Sequence, residues 1–286
     1  MVARTYSTPR NVLAMTLLTF LDAYASQRFL KPTTLYSYRH AIAQFGNREV
    51  ADFSKESISR FAQAQLASGL SPHTVKGRVL VLCILWRAAK DAGLTGDFSR
   101  PASPKCPPKI IRAIPPDSIS RLLEHCEHLP GCLKSTRTPR SHYWSAFVAA
   151  SYETALRTSD ILQLRWDSSG RWHLIQVKTR RPVTVDVGDK TLLLLDRLSK
   201  SSPKLLNIGW RREWYCRGLQ RIAAQLGLRI SPQQLRQSAA SEAERLQPGT
   251  AWILLVHSSP ATTQRWYIDS EHAYRGLPRP RIPPRN

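Results

Sequence analysis

The stretch Ser231–Tyr267 reads SPQQLRQSAASEAERLQPGTAWILLVHSSPATTQRWY, and the rest of the chain is organised around it. Ser231-Pro232-Gln233-Gln234 opens a helix: a hydroxyl to cap it, proline at the first helical position, and Gln234 placed to complete a capping box. Ser259-Pro260 repeats the opening. A helix N-terminus presents free N–H groups and a positive dipole end, so both starts are potential phosphate seats. Arg236 follows Gln233 by three residues, on the same helix face. His257 ends an apolar run, and Tyr267 lies about two turns into the helix that Pro260 opens. An arginine, a histidine and a tyrosine brought to helix N-termini make a site for phosphoryl transfer.

Two upstream segments extend the pattern. TALRTSDILQLRW at 154–166 carries Arg157 just ahead of a helix start, where Thr158 and Ser159 can cap and Asp160 favours the positive end. WHLIQVKTRRPVTVDV at 172–187 alternates well enough for a β-hairpin, with the basic turn Lys178-Thr179-Arg180-Arg181 at its tip.

Taken in order, these segments resemble the boxes of the tyrosine recombinases, the phage-integrase family. That family writes G-L-R-x-S-E-L, then a lysine on a hairpin, then H-x-L-R, L-G-H-S-S, T-T and a tyrosine. Here TALR supplies Arg157, the hairpin Lys178, QQLR Arg236, LVHSS His257 and RWY Tyr267. The resemblance implies that Arg157 and Arg236 clamp a phosphate, Lys178 protonates the departing 5′ oxygen, His257 hydrogen-bonds the phosphate and Tyr267 is the nucleophile. Three positions depart from the pattern. Gln233 stands where histidine is usual, and an amide hydrogen-bonds but cannot exchange a proton near neutral pH. Val256 replaces the glycine before the histidine. His257 to Tyr267 is one residue longer than the commonest spacing, which puts Trp266 in the usual tyrosine slot.

Composition agrees with a nucleic-acid partner. The 286 residues carry a net charge of +22 and a pI near 10.5, which favours a polyanion, with nucleic acid ahead of an acidic membrane surface. Five cysteines, scattered and odd in number, suit reduced thiols in the cytoplasm. His125-Cys126-Glu127-His128 with Cys132 matches no common zinc spacing. The apolar run Leu13–Leu21 is far too short to span a bilayer.

Before the hairpin region the chain reads as helices. Four are expected between Val12 and Gly93: Val12 to about Arg28, Pro32 to Gly46, Ser54 to Gly69, and Ser71-Pro72 to Gly93, each with an apolar stripe at helical spacing. Their polar ends gather Thr33, Thr34 and Arg39 at one start and His73, Lys76 and Arg78 at another, residue types that hold DNA phosphates in register. Residues 95–116 hold six prolines and four basic residues, Lys105 and Lys109 among them, and read as a semi-rigid linker. Arg180 and Arg181 complete the set of expected DNA contacts. Further helices are expected near Ile119–Leu123, Tyr143–Ala155, 189–199 and 211–226, with a basic Pro-rich tail from 271 that is disordered until bound.

The fold expected is therefore mainly α with a small β-sheet. A helical DNA-binding domain over 1–94 and the linker 95–116 lead to an α+β catalytic domain over 117–270. The resemblance implies a site-specific recombinase or integrase working through a 3′-phosphotyrosine without metal or ATP, on double-stranded DNA with a specific target. It implies a homotetramer on two duplexes. Two alternatives use the same residues: a type IB topoisomerase acting as a monomer, and a remnant that binds DNA without cutting it.

Overall fold

The computed structural model describes residues 15–107, 110–166, 172–185, 187–199, 206–209, 211–255 and 260–268. The chain divides into two compact units, 1–108 and 109–286. The first is built of four helices, α1 (Leu17–Arg28), α2 (Pro32–Phe45), α3 (Lys55–Ala67) and α4 (Pro72–Asp91). Local chemistry sets each start. Thr16 and Ser71 accept from the backbone N–H three residues on, and Ser54 and Ser57 exchange bonds in a capping box. One stripe per helix then closes a shared core of Leu17, Leu21, Ile42, Ile58, Val75, Leu82 and Leu85, with Phe45, Phe53 and Trp86 stacked through it. The proline-rich segment that follows α4 packs on this core. Phe98 meets Trp86 edge-on at 4.9 Å, and the Arg87 guanidinium carbon lies over the same Phe98 ring, 4.8 Å from its centroid. His73 Nε2 is 3.0 Å from the Pro107 carbonyl oxygen.

The second unit is centred on one helix. Helices α5 (Pro116–Glu127) and α6 (Arg140–Glu153) lead into a short α7 (Thr158–Ile161). A three-stranded antiparallel sheet follows in the order β1 (Arg165–Trp166), β2 (Trp172–Ile175), β3 (Pro182–Val185). Then come α8 (Asp189–Ser199), α9 (Arg212–Ala224), α10 (Pro232–Leu246), α11 (Ala251–Leu254) and α12 (Pro260–Trp266). Along α6 every residue from Tyr143 to Ser151 is buried, because α5, α8 and α10 surround it. Its polar atoms are answered internally: the Tyr143 hydroxyl donates to the Leu206 carbonyl at 2.8 Å. The rim of the Trp144 ring meets Gly218 of α9, where a Cβ would fall 2.5 Å from the indole.

The elements agree with the mainly helical reading, and three differ in detail. Helix α1 begins at Leu17, since Thr16 is its cap and also bridges to Glu49 in an antiparallel pairing; residues 1–14, the start of the expected helix among them, lie outside the described residues. Strand β1 was not expected: two residues show no alternation, and it exists through pairing with β2, Arg165 opposite His173 and Trp166 opposite Trp172. Helix α7 stops at Ile161 and neither Thr158 nor Ser159 caps it; Arg157 takes the cap position without a side-chain bond. Bonds from Gln163 and Leu164 reach back only three residues, which tightens the last turn and releases the chain into β1. Among the described residues no helix is long and apolar enough to cross a membrane.

Candidate active site

Helix α10 begins as its sequence dictates. Ser231 Oγ accepts from the Gln234 N–H at 3.3 Å while Gln234 Oε1 accepts from the Ser231 N–H at 3.0 Å. This fixes the first turn and aims Arg236 inward, where it is 1% exposed and the largest fully buried side chain among the described residues. A guanidinium in such a place must be hydrogen-bonded. Nη1 donates to the Ala155 carbonyl, and Nη2 donates to the Leu255 carbonyl at 3.1 Å. Ala155 holds a left-handed backbone, φ 47°, at the end of α6. The floor here is made of small residues, Ala155, Ala239, Ala240 and Ala251 with Leu255 and Ile268, so the three segments close tightly around the arginine.

Tyr267 follows α12 directly and still donates its N–H to the Thr263 carbonyl at 2.9 Å. Its ring lies under Arg236, with the guanidinium carbon 5.0 Å from the ring centroid. Its hydroxyl is hydrogen-bonded by Arg236 and by Gln233, one turn earlier on α10. Burial pushes this hydroxyl up. The charge of Arg236, the bonds from Arg236 and Gln233 and the charge of Arg157 outweigh it and hold Tyr267 below its ordinary 10.0. Burial likewise lowers the Arg236 pKa, opposed by Tyr267 and reinforced by Arg157; an arginine so shifted remains a cation. The Arg236 cation, with the neutral Gln233 amide as second donor and the charge of Arg157 nearby, thus favours the phenolate, the nucleophilic form.

Arg157 enters from the turn between α6 and α7, its side chain 23% exposed. Its Nη1 is 3.6 Å from Oδ2 of Asp160, an ion-pair separation too long for a hydrogen bond. Asp160 is fully buried, and its Oδ1 accepts from the Val177 N–H at 2.9 Å. One carboxylate therefore ties the Arg157 turn to the hairpin whose next residue is Lys178. This linking role goes beyond the dipole argument that the sequence suggests for Asp160; the signal available was an acid three residues after the arginine, one turn along. Lys178, Arg180 and Arg181 are exposed in the turn between β2 and β3, and Arg180 adopts φ 58°.

Arg157, Gln233, Arg236 and Tyr267 are thus brought together, and Lys178 is tethered to them through Asp160. His257 lies outside the described residues, as do Val256, Ser259, Lys109 and the tail from 271; the Trp266 side chain is likewise not described. Of the other expected DNA contacts, Arg39 is paired with Asp22 at 2.9 Å. Arg78 bonds Gln65 and lies 3.3 Å from His40 Nε2. Thr33, Lys76 and Lys105 are exposed, and Thr34 is half-buried. Among the described residues no group of three or more His, Cys, Asp or Glu is placed to hold a metal ion.

A model of the phage integrase family matches residues 112–273, a span that contains every residue of this site. Among solved structures, a lambda integrase dimer bound to a COC′ core site is similar with a TM-score of 0.71 and 18% identity, over 94% of this chain and 81% of that one. A lambda integrase tetramer bound to a Holliday junction gives 0.68 and 17%, with 94% and 81% covered. The Tn1549 transposon integrase in complex with a circular intermediate DNA gives 0.67 and 13%, with 91% and 98% covered. At these identities the likeness is one of fold. No curated protein sequence gives a significant match.

Proposed function

The chain belongs to the phage integrase family, and from that premise we propose that it cuts and rejoins DNA at a specific site through a 3′-phosphotyrosine on Tyr267. The observation that carries the reading is the buried Arg236 guanidinium over the Tyr267 ring and bonded to its hydroxyl. A tyrosine at the surface for packing or solubility has no use for two hydrogen-bonding partners that favour its anion.

In the step proposed, the Tyr267 oxygen attacks phosphorus as its proton leaves to water. A new P–O bond to tyrosine forms while the bond to the 5′ oxygen breaks, and Lys178 gives that oxygen a proton. Charge on the non-bridging oxygens falls to Arg157 and Arg236, whose fork geometry suits them, with His257 as a further donor. Gln233, unable to exchange a proton, orients Tyr267. Attack by the hydroxyl of another strand reverses the sequence and conserves the bond energy. The scheme draws its charge and its proton from the protein, so it calls for no metal or nucleotide. Thr33, Thr34, Arg39, His73, Lys76 and Arg78 of the first unit, with Lys105, Lys109, Arg180 and Arg181, would bind the duplex backbone. Exchange between two duplexes would need four protomers, as in the lambda integrase tetramer on a Holliday junction.

The test mixes two duplexes of different length and label, both bearing a site enriched by binding from a random-sequence library. Recombinant strands joining the two labels are expected. Relaxation of supercoiled DNA without strand exchange would replace the recombinase by a topoisomerase, and tight binding with no breakage at all would leave a DNA-binding remnant.

A further inference from the structure

The hairpin turn that presents Lys178 is held from inside by a side chain outside the family boxes. Gln176 follows β2 directly and is fully buried. Its backbone closes the turn in both directions: Gln176 N–H donates to the Arg181 carbonyl at 2.9 Å, and its carbonyl accepts from the Arg180 N–H at 2.9 Å. Its side chain closes the turn again, because Oε1 accepts from the Thr179 hydroxyl. The remaining amide donor, Nε2, is buried without a hydrogen-bond partner among the described residues. An unpaired buried amide is costly, and a leucine of similar volume would fill the same interior without that cost. The polar choice calls for a reason beyond packing. The residue between Gln176 and Lys178 is Val177, whose N–H is already taken by Asp160.

We propose that Gln176 and Thr179 form an internal latch that positions Lys178 for proton delivery. Asp160 grips the turn before the lysine, and the Thr179–Gln176 bond grips it after, so the lysine backbone is fixed on both sides while its side chain stays exposed. Neither residue touches DNA in this scheme; both act through Lys178. The proposal rests on the reading in which Lys178 protonates the leaving 5′ oxygen.

The experiment uses the full chain and a library-selected duplex whose cleaved phosphate is mapped from the wild-type adduct. The duplex is made in two forms, with oxygen or with sulfur at the bridging 5′ position. A thiolate, conjugate to a thiol of pKa about 8.5, departs without a proton, whereas an alkoxide does not. Lys178→Ala calibrates the assay: slow on oxygen, restored on sulfur. Thr179→Val, at an exposed position where loss of folding is not at stake, and Gln176→Leu are expected to slow adduct formation on oxygen about tenfold and to come within about twofold of wild type on sulfur. Thr179→Ser keeps the hydroxyl and should match wild type on both. Equal slowing on the two substrates, or none on either, would overturn the latch. If Gln176→Leu does not fold, Thr179→Val decides alone. Failure of sulfur to restore Lys178→Ala, or no wild-type adduct, would instead overturn the reading of Lys178 and the latch with it.

Discussion

Arg236 lies over the ring of Tyr267, its guanidinium carbon 5.0 Å from the centroid, and bonds the tyrosine hydroxyl while two backbone carbonyls hold it from behind. Those carbonyls belong to Ala155 and Leu255, at the ends of α6 and α11. The arginine therefore links folding of the site to chemistry at the tyrosine. Arg236→Ala should abolish adduct formation and also destabilise the second unit, since two buried acceptors lose their donor, at about 1–3 kcal/mol each. Circular dichroism melting alongside the adduct assay checks both effects.

The depressed Tyr267 hydroxyl gives a pH dependence with a definite sign. Lowering its value below 10.0 makes the phenolate available at lower pH than for a free tyrosine. The rate of adduct formation should rise with pH and level off below 10.0. Gln233→Leu removes one bond that favours the phenolate, so its curve should move to higher pH. Gln233→His restores a donor at that position and should keep or raise the rate. An unmoved profile in Gln233→Leu would detach this residue from the nucleophile.

Asp160 is expected to matter through both of its oxygens. Asp160→Ala leaves the Val177 N–H without its acceptor and Arg157 without its counter-charge. Chemical denaturation of the second unit should register a loss of about 2 kcal/mol or more, because the carboxylate is fully buried. Asp160→Asn keeps an acceptor for Val177 and should recover part of that stability while leaving cleavage slow.

Gly218 gives a prediction that concerns packing alone. A methyl group there would sit 2.5 Å from the Trp144 indole, which is buried and wedged against Tyr143 and Phe147. Overpacking costs about 1–3 kcal/mol, and the gain in helix propensity returns about 1 kcal/mol. Gly218→Ala should therefore lower the melting temperature of the second unit without changing the affinity of the first for DNA.

The parts legible in the sequence are those written locally. Ser231 and Gln234 form the capping box because a hydroxyl and an amide three residues apart can do so wherever the chain goes. The helices of both units follow their apolar stripes for the same reason. What could not be read depends on partners distant along the chain. Strand β1 exists only because β2 pairs with it. Asp160 meets Val177, 17 residues later, across a fold boundary that no periodicity marks. Gln233, which lacks a histidine's proton chemistry, hydrogen-bonds the hydroxyl of Tyr267, a partner that its own helix face does not reveal. The extra residue ahead of Tyr267 puts Trp266 in the usual tyrosine slot, yet of the two only tyrosine can act as a nucleophile, and the Arg236 guanidinium lies over the Tyr267 ring.

Trapping the protein on a nicked, library-selected duplex, digesting it, and locating the attached nucleotide by mass spectrometry identifies the nucleophile. Wild type should carry the nucleotide on Tyr267, and Tyr267→Phe should bind the duplex nearly as well while giving no denaturant-resistant adduct. An adduct that persists in Tyr267→Phe, with the nucleotide on Tyr274 or another tyrosine, would rule out Tyr267 as the nucleophile.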